Sequence, residues 1–341
     1  MLNEIMISAR QNLEQFLAER REPVKIEPLT PDASTREYFR IRWKNAPAIA
    51  CVYPEPFLPK EQTYLDVTNL FLRGGLPVAK IYDFSGELGV VVQEDFGDTI
   101  LRARLIDAGS ARRNDLINDA IKLIARIQAT TAKAFELDSI ASRLKFDKEK
   151  LVWELNFFKE HYFETYRKQP LSEPDNLALA EEFAELAREL EQCAAVLCHR
   201  DFHAANIMID WENRLRIIDQ QDARIGAASY DLVSLLLDRV LEAPNENWLA
   251  EKIRFLLSER ENLGLEQIDF EEFLYQFRLQ TIQRCLKAIG TFSYQSAKRG
   301  KTHFVQYIEP MFQIVFQAAK ETNKFPNLQR IIKGKILNQI L

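Results

Sequence analysis

The 341-residue sequence contains only four cysteines, and no two of them form a CxxC pair. Neither a zinc site nor a disulfide framework is therefore indicated, and we expect reduced, mostly buried thiols. The chain also lacks an excess of basic residues, since 45 lysines and arginines face 50 aspartates and glutamates. Phosphate backbones are bound by clustered lysine and arginine, so this composition argues against a nucleic-acid partner.

No apolar stretch reaches the roughly 18 residues that would indicate a membrane span. The N-terminus carries Glu4, Arg10 and Glu14 in an amphipathic pattern, unlike the uninterrupted apolar core of a signal peptide. We therefore expect a cytoplasmic protein without a membrane partner, and no obligate protein partner is indicated. Glycine and proline are sparse, at 11 and 13 residues, and 47% of the residues are hydrophobic, which is an ordinary globular balance.

The length exceeds the size at which one hydrophobic core usually stops growing, so the sequence predicts two lobes. A helix is expected at Leu2–Arg20, and a second at Lys60–Arg73, which Gly74 and Gly75 terminate. Five β-like segments accompany them and predict a sheet: Val24–Leu29, Glu37–Trp43, Ala48–Tyr53, Lys80–Phe84 and Val90–Glu94. A composition shift after Phe96 places the predicted boundary between lobes of residues 1–96 and 97–341.

The second lobe is predicted to be mostly helical, which makes the fold class α+β. Its expected helices are Ala111–Ala132, Asp147–Tyr166, Asn176–Gln192, Ser229–Leu241, Phe270–Ile289 and Thr302–Glu321. Two short apolar runs, Ile207–Ile209 and Leu215–Ile218, flank a turn and predict a small hairpin with polar residues at its ends.

The residues around this hairpin have a spacing that suits phosphoryl transfer. Asp201 and Asn206 are five positions apart before the hairpin, and Asp219 follows its second strand. In phosphoryl transfer from a nucleotide, an aspartate orients the acceptor hydroxyl, while an amide oxygen and a second carboxylate coordinate Mg²⁺. The alternative is that Asp201 caps a turn and Asn206 bonds locally, as both residue types often do.

The segment His199-Arg200-Asp201, with Asn206 five residues later, resembles the catalytic loop of protein kinases and their small-molecule relatives. His203 completes a His-x-Asp-x-His-x-x-Asn pattern that looks like the aminoglycoside phosphotransferase and choline kinase superfamily. The resemblance implies a two-lobed protein-kinase-like fold whose smaller lobe has a five-stranded antiparallel sheet and one main helix. It implies ATP and Mg²⁺ as cofactors, Asp201 as catalytic base, and Asn206 and Asp219 as metal ligands.

A finer resemblance covers most of the chain. The segments 32–40, 219–223 and 230–236 resemble one branch of this superfamily, which contains bacterial anomeric kinases of N-acetylmuramate and N-acetylglucosamine. This implies a small-molecule substrate, an N-acetylated amino sugar phosphorylated at C1, and a place in cell-wall recycling. Two other hypotheses remain open. In the first, the acceptor is another small alcohol, such as an aminoglycoside or an amino alcohol. In the second, the chain is a pseudokinase-like module that binds nucleotide without turnover.

The expected nucleotide site differs from that of protein kinases in the residues available to bind the phosphates. The third strand, Ala48–Tyr53, has no lysine to hold the α and β phosphates. Arg40 and Arg42 on the preceding strand are candidates for that charge, and exposed strand arginines are the alternative. The expected phosphate-covering loop contains no glycine, but Ser34 and Thr35 could bind phosphate through hydroxyl and backbone N–H groups.

The strand Val90–Glu94 leads into a segment that resembles the hinge between kinase lobes. The backbone of Glu94 and Phe96 is expected to bind adenine. For the acceptor, we expect contributions from His203, and from Glu154 and Asn156 on a helix whose other residues suit ordinary amphipathic packing.

Two further aspartates have expected roles. Asp222 either faces the acceptor or anchors its loop. Asp231 is expected to brace the backbone of the catalytic loop.

Overall fold

The computed structural model describes residues 2–29 and 35–335. The chain divides into two compact units. The first, here called the sheet unit, comprises Met1–Ala108 and Ala205–Asp222, and the second, here called the helical unit, comprises Gly109–Ala204 and Ala223–Leu341. The lobe boundary between residues 96 and 97 stays a prediction.

Helices dominate the described residues. Their bounds are α1 Leu2–Glu19, α2 Thr63–Arg73, α3 Leu101–Asp107, α4 Ser110–Ala129, α5 Thr131–Glu136, α6 Ile140–Arg143, α7 Lys148–Lys159, α8 Glu173–Gln192, α9 Tyr230–Leu237, α10 Glu246–Asn262, α11 Phe270–Arg299, α12 Ile308–Glu321 and α13 Pro326–Lys335. Within residues 2–29 and 35–335, none of these helices has the length and apolar character needed to cross a membrane.

The sheet unit contains five antiparallel strands in the order β1-β2-β3-β5-β4. Their bounds are β1 Glu27–Leu29, β2 Glu37–Trp43, β3 Ala46–Val52, β4 Ile81–Ser85 and β5 Val90–Glu94. Helix α2 lies between β3 and β4 in the chain and ends at Gly74, as predicted. The predicted five-stranded sheet is confirmed, although β1 is shorter than the expected segment Val24–Leu29.

The two faces of this sheet differ because successive side chains of a strand alternate between faces. One face packs against α1, whose Leu13, Phe16 and Leu17 are fully buried. The sheet residues of that core are Phe39, Ile41, Trp43, Ala48, Ala50, Val52, Val90 and Val92. The opposite face carries the alternate residues of the strands, and α2 contacts it through the Tyr64 hydroxyl, which donates to Gln93 Oε1.

Four more short strands follow along the chain: β6 Ala194–Cys198, β7 Ile207–Ile209, β8 Leu215–Ile217 and β9 Arg224–Ala227. Strands β7 and β8 pair antiparallel and confirm the predicted hairpin. Within the sheet unit, the Ile209 N–H donates to Thr99 O over 2.8 Å and the Ile217 N–H donates to Pro77 O over 2.9 Å. The hairpin is therefore fixed to the backbone on both of its strands.

The helical unit is organised around α11, a 30-residue helix with sixteen buried residues. A side chain at Gly290 would collide with the backbone of Phe158, so glycine at this position permits the close approach of α7. The predicted helix Asp147–Tyr166 is α7 followed by a π-helical turn, Glu160–Tyr166. Strands β6 and β9, which the sequence analysis did not predict, pair antiparallel in this unit.

Candidate active site

The catalytic loop predicted from the sequence begins directly after β6 in the helical unit. The Asp231 carboxylate, in the first turn of α9, accepts the backbone N–H of His199 over 2.7 Å and that of Arg200 over 3.0 Å. Arg200 has a φ of 84°, a conformation that costs free energy for a residue with a side chain. The two hydrogen bonds hold the backbone in this conformation, which confirms the expected bracing role of Asp231.

Asp231 itself is fully buried. Burial raises the pKa of its carboxyl to about 7, although the N–H groups of His199 and Arg200 act in the opposite direction. The two N–H donors therefore stabilise the ionised form of the Asp231 carboxyl near neutral pH.

Two cations of α11 contact the predicted catalytic base. Arg284 Nη2 lies 3.1 Å from Asp201 Oδ1, and Lys287 Nζ lies 3.5 Å from the same oxygen. Ser234 accepts a hydrogen bond from Arg284 Nε over 2.9 Å, which fixes the guanidinium. The exposed fractions of the Arg284 and Lys287 side chains are 9% and 14%, so both charges are largely removed from solvent.

These cations set the ionisation of Asp201. Burial disfavours its charged form, but the charges of Lys287, Arg284 and Arg200 outweigh burial and hold the pKa of Asp201 well below its usual range. Burial lowers the pKa of Lys287, and Asp201 opposes this effect. Asp201 is consequently a carboxylate at any physiological pH, which is the form that can orient and deprotonate a hydroxyl.

His203 lies two residues after Asp201, and its backbone N–H donates to the Asp201 carbonyl over 2.9 Å. Burial lowers the pKa of His203 to about 4, against the opposing charges of Asp238 and Asp201. Its ring is therefore neutral near pH 7. Within the described part of the chain, its buried Nδ1 atom has no hydrogen-bond partner.

The two predicted metal ligands lie together in the sheet unit, at the ends of the β7–β8 hairpin. Asn206 Nδ2 is 3.4 Å from Asp219 Oδ2, and the Ile218 N–H donates to Asn206 O over 3.1 Å. Asp219 has a φ of 65°, and Gln221 Nε2 donates to its Oδ1 over 2.9 Å. The structure thus brings Asn206 and Asp219 together, whereas their convergence with Asp201 of the helical unit stays a prediction.

The donor set of Asn206 and Asp219 fits magnesium. Among residues 2–29 and 35–335, no group of three or more His, Cys, Asp or Glu side chains is arranged to hold a metal ion. Magnesium does not need such a group, because it usually keeps several waters and is bound by one or two carboxylates together with substrate phosphates. One carboxylate beside one amide is compatible with that mode of binding.

The predicted hinge follows β5 in the sheet unit. The Glu94 carboxylate pairs with Arg216 Nη2 over 3.0 Å, and the Arg216 guanidinium stacks 3.9 Å from the centre of the Phe96 ring. The Glu94 N–H donates to Lys80 O over 2.9 Å. The contact of the Glu94 and Phe96 backbone with adenine stays a prediction, and Arg216, which the sequence analysis did not name, contacts the side chains of both residues.

The residues expected near the phosphates have different surroundings. Arg40 pairs with Asp95 over 2.7 Å and with Asp98 over 2.8 Å, which places its charge at the hinge segment. Thr35 is exposed two residues before β2, and Ser34 lies outside the described residues. Their roles in phosphate binding stay predictions.

The remaining candidates for the acceptor site are distributed over two elements. Glu154 is fully buried on α7 and accepts a hydrogen bond from Gln283 over 2.8 Å, whereas Asn156 on the same helix is exposed. Asp222 is partly buried in the short 3₁₀ turn Gln220–Asp222 of the sheet unit. The position of Asp222 does not decide between its two expected roles, which are facing the acceptor and anchoring its own loop.

Three charged residues at the candidate site were missed in the sequence analysis. Arg36 Nη2 lies 3.4 Å from Asp219 Oδ1 although the two residues are 183 positions apart. Arg284 and Lys287 are more than eighty positions from Asp201. A helical pattern does not reveal which distant residue a side chain contacts. The one local signal was the spacing of Arg284 and Lys287 by three residues, which puts both on one helix face.

The fold resembles those of solved small-molecule kinases. A crystal structure of a putative aminoglycoside phosphotransferase from Ralstonia eutropha superimposes with a TM-score of 0.63 at 13% sequence identity, and the match covers 91% of this chain and 98% of that chain. The predicted two-lobed kinase-like fold is thereby confirmed.

Two curated relatives share a higher sequence identity. An N-acetylmuramate/N-acetylglucosamine kinase from Neisseria meningitidis is 29% identical over 275 residues, which cover 80% of this chain and 79% of the relative. A protein of the same name from Pseudomonas aeruginosa is 26% identical over 316 residues, which cover 91% of this chain and 88% of the relative.

A family model extends over most of the chain. The model described as the phosphotransferase enzyme family matches residues 25–265, a range that includes the hinge segment, Asp201, Asn206 and Asp219. The match exceeds half of the chain, and we conclude that this protein belongs to the phosphotransferase enzyme family.

Proposed function

We propose that this enzyme transfers the terminal phosphoryl group of ATP, with Mg²⁺, to the anomeric hydroxyl of an N-acetylated amino sugar. The observation that carries the reaction type is Asp201, which Arg284 and Lys287 keep ionised on a loop that Asp231 braces. Membership in the phosphotransferase family supports the same reaction. The amino-sugar acceptor rests on the names of the curated relatives.

Each named residue has one role in this proposal. Asp201 orients the acceptor hydroxyl and accepts its proton as the oxygen attacks the phosphoryl group. Asn206 and Asp219 hold Mg²⁺, which neutralises charge on the phosphates when it is bound. The reaction is accelerated chiefly by positioning of the two substrates and by neutralisation of charge, because phosphoryl transfer needs little covalent participation by the protein.

The helical unit also offers aromatic surface for a sugar ring. Trp153 of α7 is 57% exposed, and its ring lies 5.7 Å from that of Phe157, which in turn lies 6.2 Å from Tyr294 of α11. Sugar pockets combine such apolar surface with a few polar groups. We propose that this cluster binds the sugar and that His203 donates or accepts a hydrogen bond at its hydroxyls, since the neutral ring has an unused buried nitrogen.

The test is ADP release by the purified protein with ATP and Mg²⁺ across a panel of acceptors. The panel contains N-acetylglucosamine, N-acetylmuramate, glucosamine, glucose, choline and an aminoglycoside. Turnover confined to the N-acetylated amino sugars supports the proposal. Turnover with choline or the aminoglycoside alone would contradict the acceptor class, and nucleotide binding without turnover on any acceptor would favour a binding module.

A further inference from the structure

A kinase places positive charge beside the nucleotide phosphates. Protein kinases supply it from a lysine on the third strand. In this chain β3 runs from Ala46 to Val52 and contains neither lysine nor arginine. A polyphosphate chain in a partly buried site needs cationic groups, so another residue has to provide this charge.

The register of β2 against β3 identifies a residue beside the end of β3, the strand that lacks the lysine. Glu37, the first residue of β2, pairs with Val52, and Tyr38 pairs with Cys51. Arg36 directly precedes Glu37 and therefore lies beside the end of β3. By the alternation of side chains it shares a face with Tyr38 and Arg40, the face opposite to the core under α1.

The side chain of Arg36 extends over this face. Its guanidinium lies 5.7 Å from the ring centres of both Tyr38 and Tyr53, and its exposed fraction is 15%. Burial raises the pKa of the Cys51 thiol to about 12, and the nearby charge of Arg36 acts in the opposite direction. The charge of Arg36 thus lies near the side chain of Cys51, a residue of β3.

Arg36 also contacts a predicted metal ligand. Its Nη2 atom lies 3.4 Å from Asp219 Oδ1, in the same unit. A cation that binds the phosphates is expected to lie beside the ligands of the magnesium that bridges them. Arg36 has this position, whereas Arg40 pairs with Asp95 and Asp98 at the hinge segment.

We propose that Arg36, from the start of β2, supplies the phosphate-binding charge that protein kinases supply from strand three. The inference rests on the proposed nucleotide dependence and adds a residue to it. An arginine suits this task because its planar group presents two N–H donors to one phosphate. Its placement just before β2 explains how β3 can consist of small apolar residues and still border a nucleotide site.

The test compares the binding of Mg·ADP and of adenosine by calorimetry, without acceptor and without turnover. Removing a charge-assisted hydrogen bond in Arg36→Ala should weaken Mg·ADP binding by about 10- to 100-fold and leave adenosine binding unchanged. Arg36→Lys should retain most of the Mg·ADP affinity. The matched control is Arg10→Ala, since Arg10 is an exposed arginine paired with Glu14 on α1, on the other side of the sheet.

Three results would overturn the inference. Wild-type affinity of Arg36→Ala for Mg·ADP would show that another group binds the phosphates. An equal loss of adenosine and Mg·ADP binding would show that Arg36 supports the sheet rather than the phosphates. A wild-type protein that binds neither ligand would remove the proposed function itself, and with it the inference, so the two failures are distinguishable.

Discussion

Arg284 and Lys287 donate to the same oxygen of Asp201, Oδ1, over 3.1 and 3.5 Å. Two largely buried cations on one carboxylate stabilise its charge at the expense of its basicity. Asp201 is therefore better suited to orient a hydroxyl and to take its proton late in the reaction than to remove that proton beforehand.

Asp201→Asn removes the proposed base while keeping the size of the side chain. Turnover should fall by about 10²- to 10⁴-fold, the usual contribution of a positioned general base, with little change in nucleotide affinity. Steady-state kinetics and calorimetry with Mg·ADP measure the two effects separately. A variant that turns over near the wild-type rate would exclude Asp201 as the base.

Lys287→Met should change the pH dependence of turnover. Asp201 has a lowered pKa, so its charge is present above its ordinary pKa and is lost only as the pH falls through the lower folded value. Removal of one neighbouring cation should raise the pKa of Asp201 and move the acidic limb of the rate profile to higher pH. Lys287→Arg is the matched control and should keep the wild-type limb.

The profiles are measured as the pH dependence of kcat at saturating nucleotide, because that condition reports groups in the enzyme–substrate complex. Identical acidic limbs in Lys287→Met and wild type would show that Lys287 does not set the ionisation of Asp201.

Asp219→Ala should raise the magnesium concentration needed for nucleotide binding and also lower turnover, since it removes the carboxylate of the proposed metal site. Magnesium titrations of ADP affinity measure this directly. Asp83→Ala is a suitable control, because Asp83, a carboxylate on β4 of the same unit, pairs with Arg20. Equal magnesium requirements in Asp219→Ala and wild type would speak against a metal ligand at this position.

Asp231→Ala should destabilise the protein and disorder the catalytic loop. It leaves two backbone N–H groups without their acceptor, and each such loss in a buried site costs about 1–3 kcal/mol. Urea unfolding measures the free energy of unfolding, and Asp231→Asn, which keeps one acceptor oxygen, should lose less. If Asp231→Ala unfolds at the wild-type urea concentration, the bracing role is wrong.

Local sequence patterns predicted much of the fold. Strands β2 and β5 and the β7–β8 hairpin were expected at or within one residue of their observed bounds, because their alternating or apolar runs end at turn residues. Helix α10 was missed, since its pattern is weakly amphipathic and rich in charge. The pairing of β6 with β9 joins segments 26 residues or more apart and has no local signature.

The residues of the candidate site likewise fall into two groups, those that a local sequence pattern indicates and those that it does not. Asp201, Asn206 and Asp219 could be proposed as site residues because their spacing within one short segment suits phosphoryl transfer. The charges around them were not, because Arg36, Arg284 and Lys287 reach those carboxylates from distant elements through tertiary packing. Arg40 was proposed for the phosphates from its strand position, and that position gave no sign of its ion pairs with Asp95 and Asp98.

The central claim is that an N-acetylated amino sugar is phosphorylated at its anomeric oxygen. Incubation of N-acetylglucosamine with ATP, Mg²⁺ and wild-type protein, followed by ¹H–³¹P correlation NMR of the product, tests it most directly, with Asp201→Asn as the inactive control. Transfer to the anomeric oxygen predicts a phosphorus coupled to the C1 proton. A phosphorus coupled to the C6 protons, or the same product from Asp201→Asn, would contradict it.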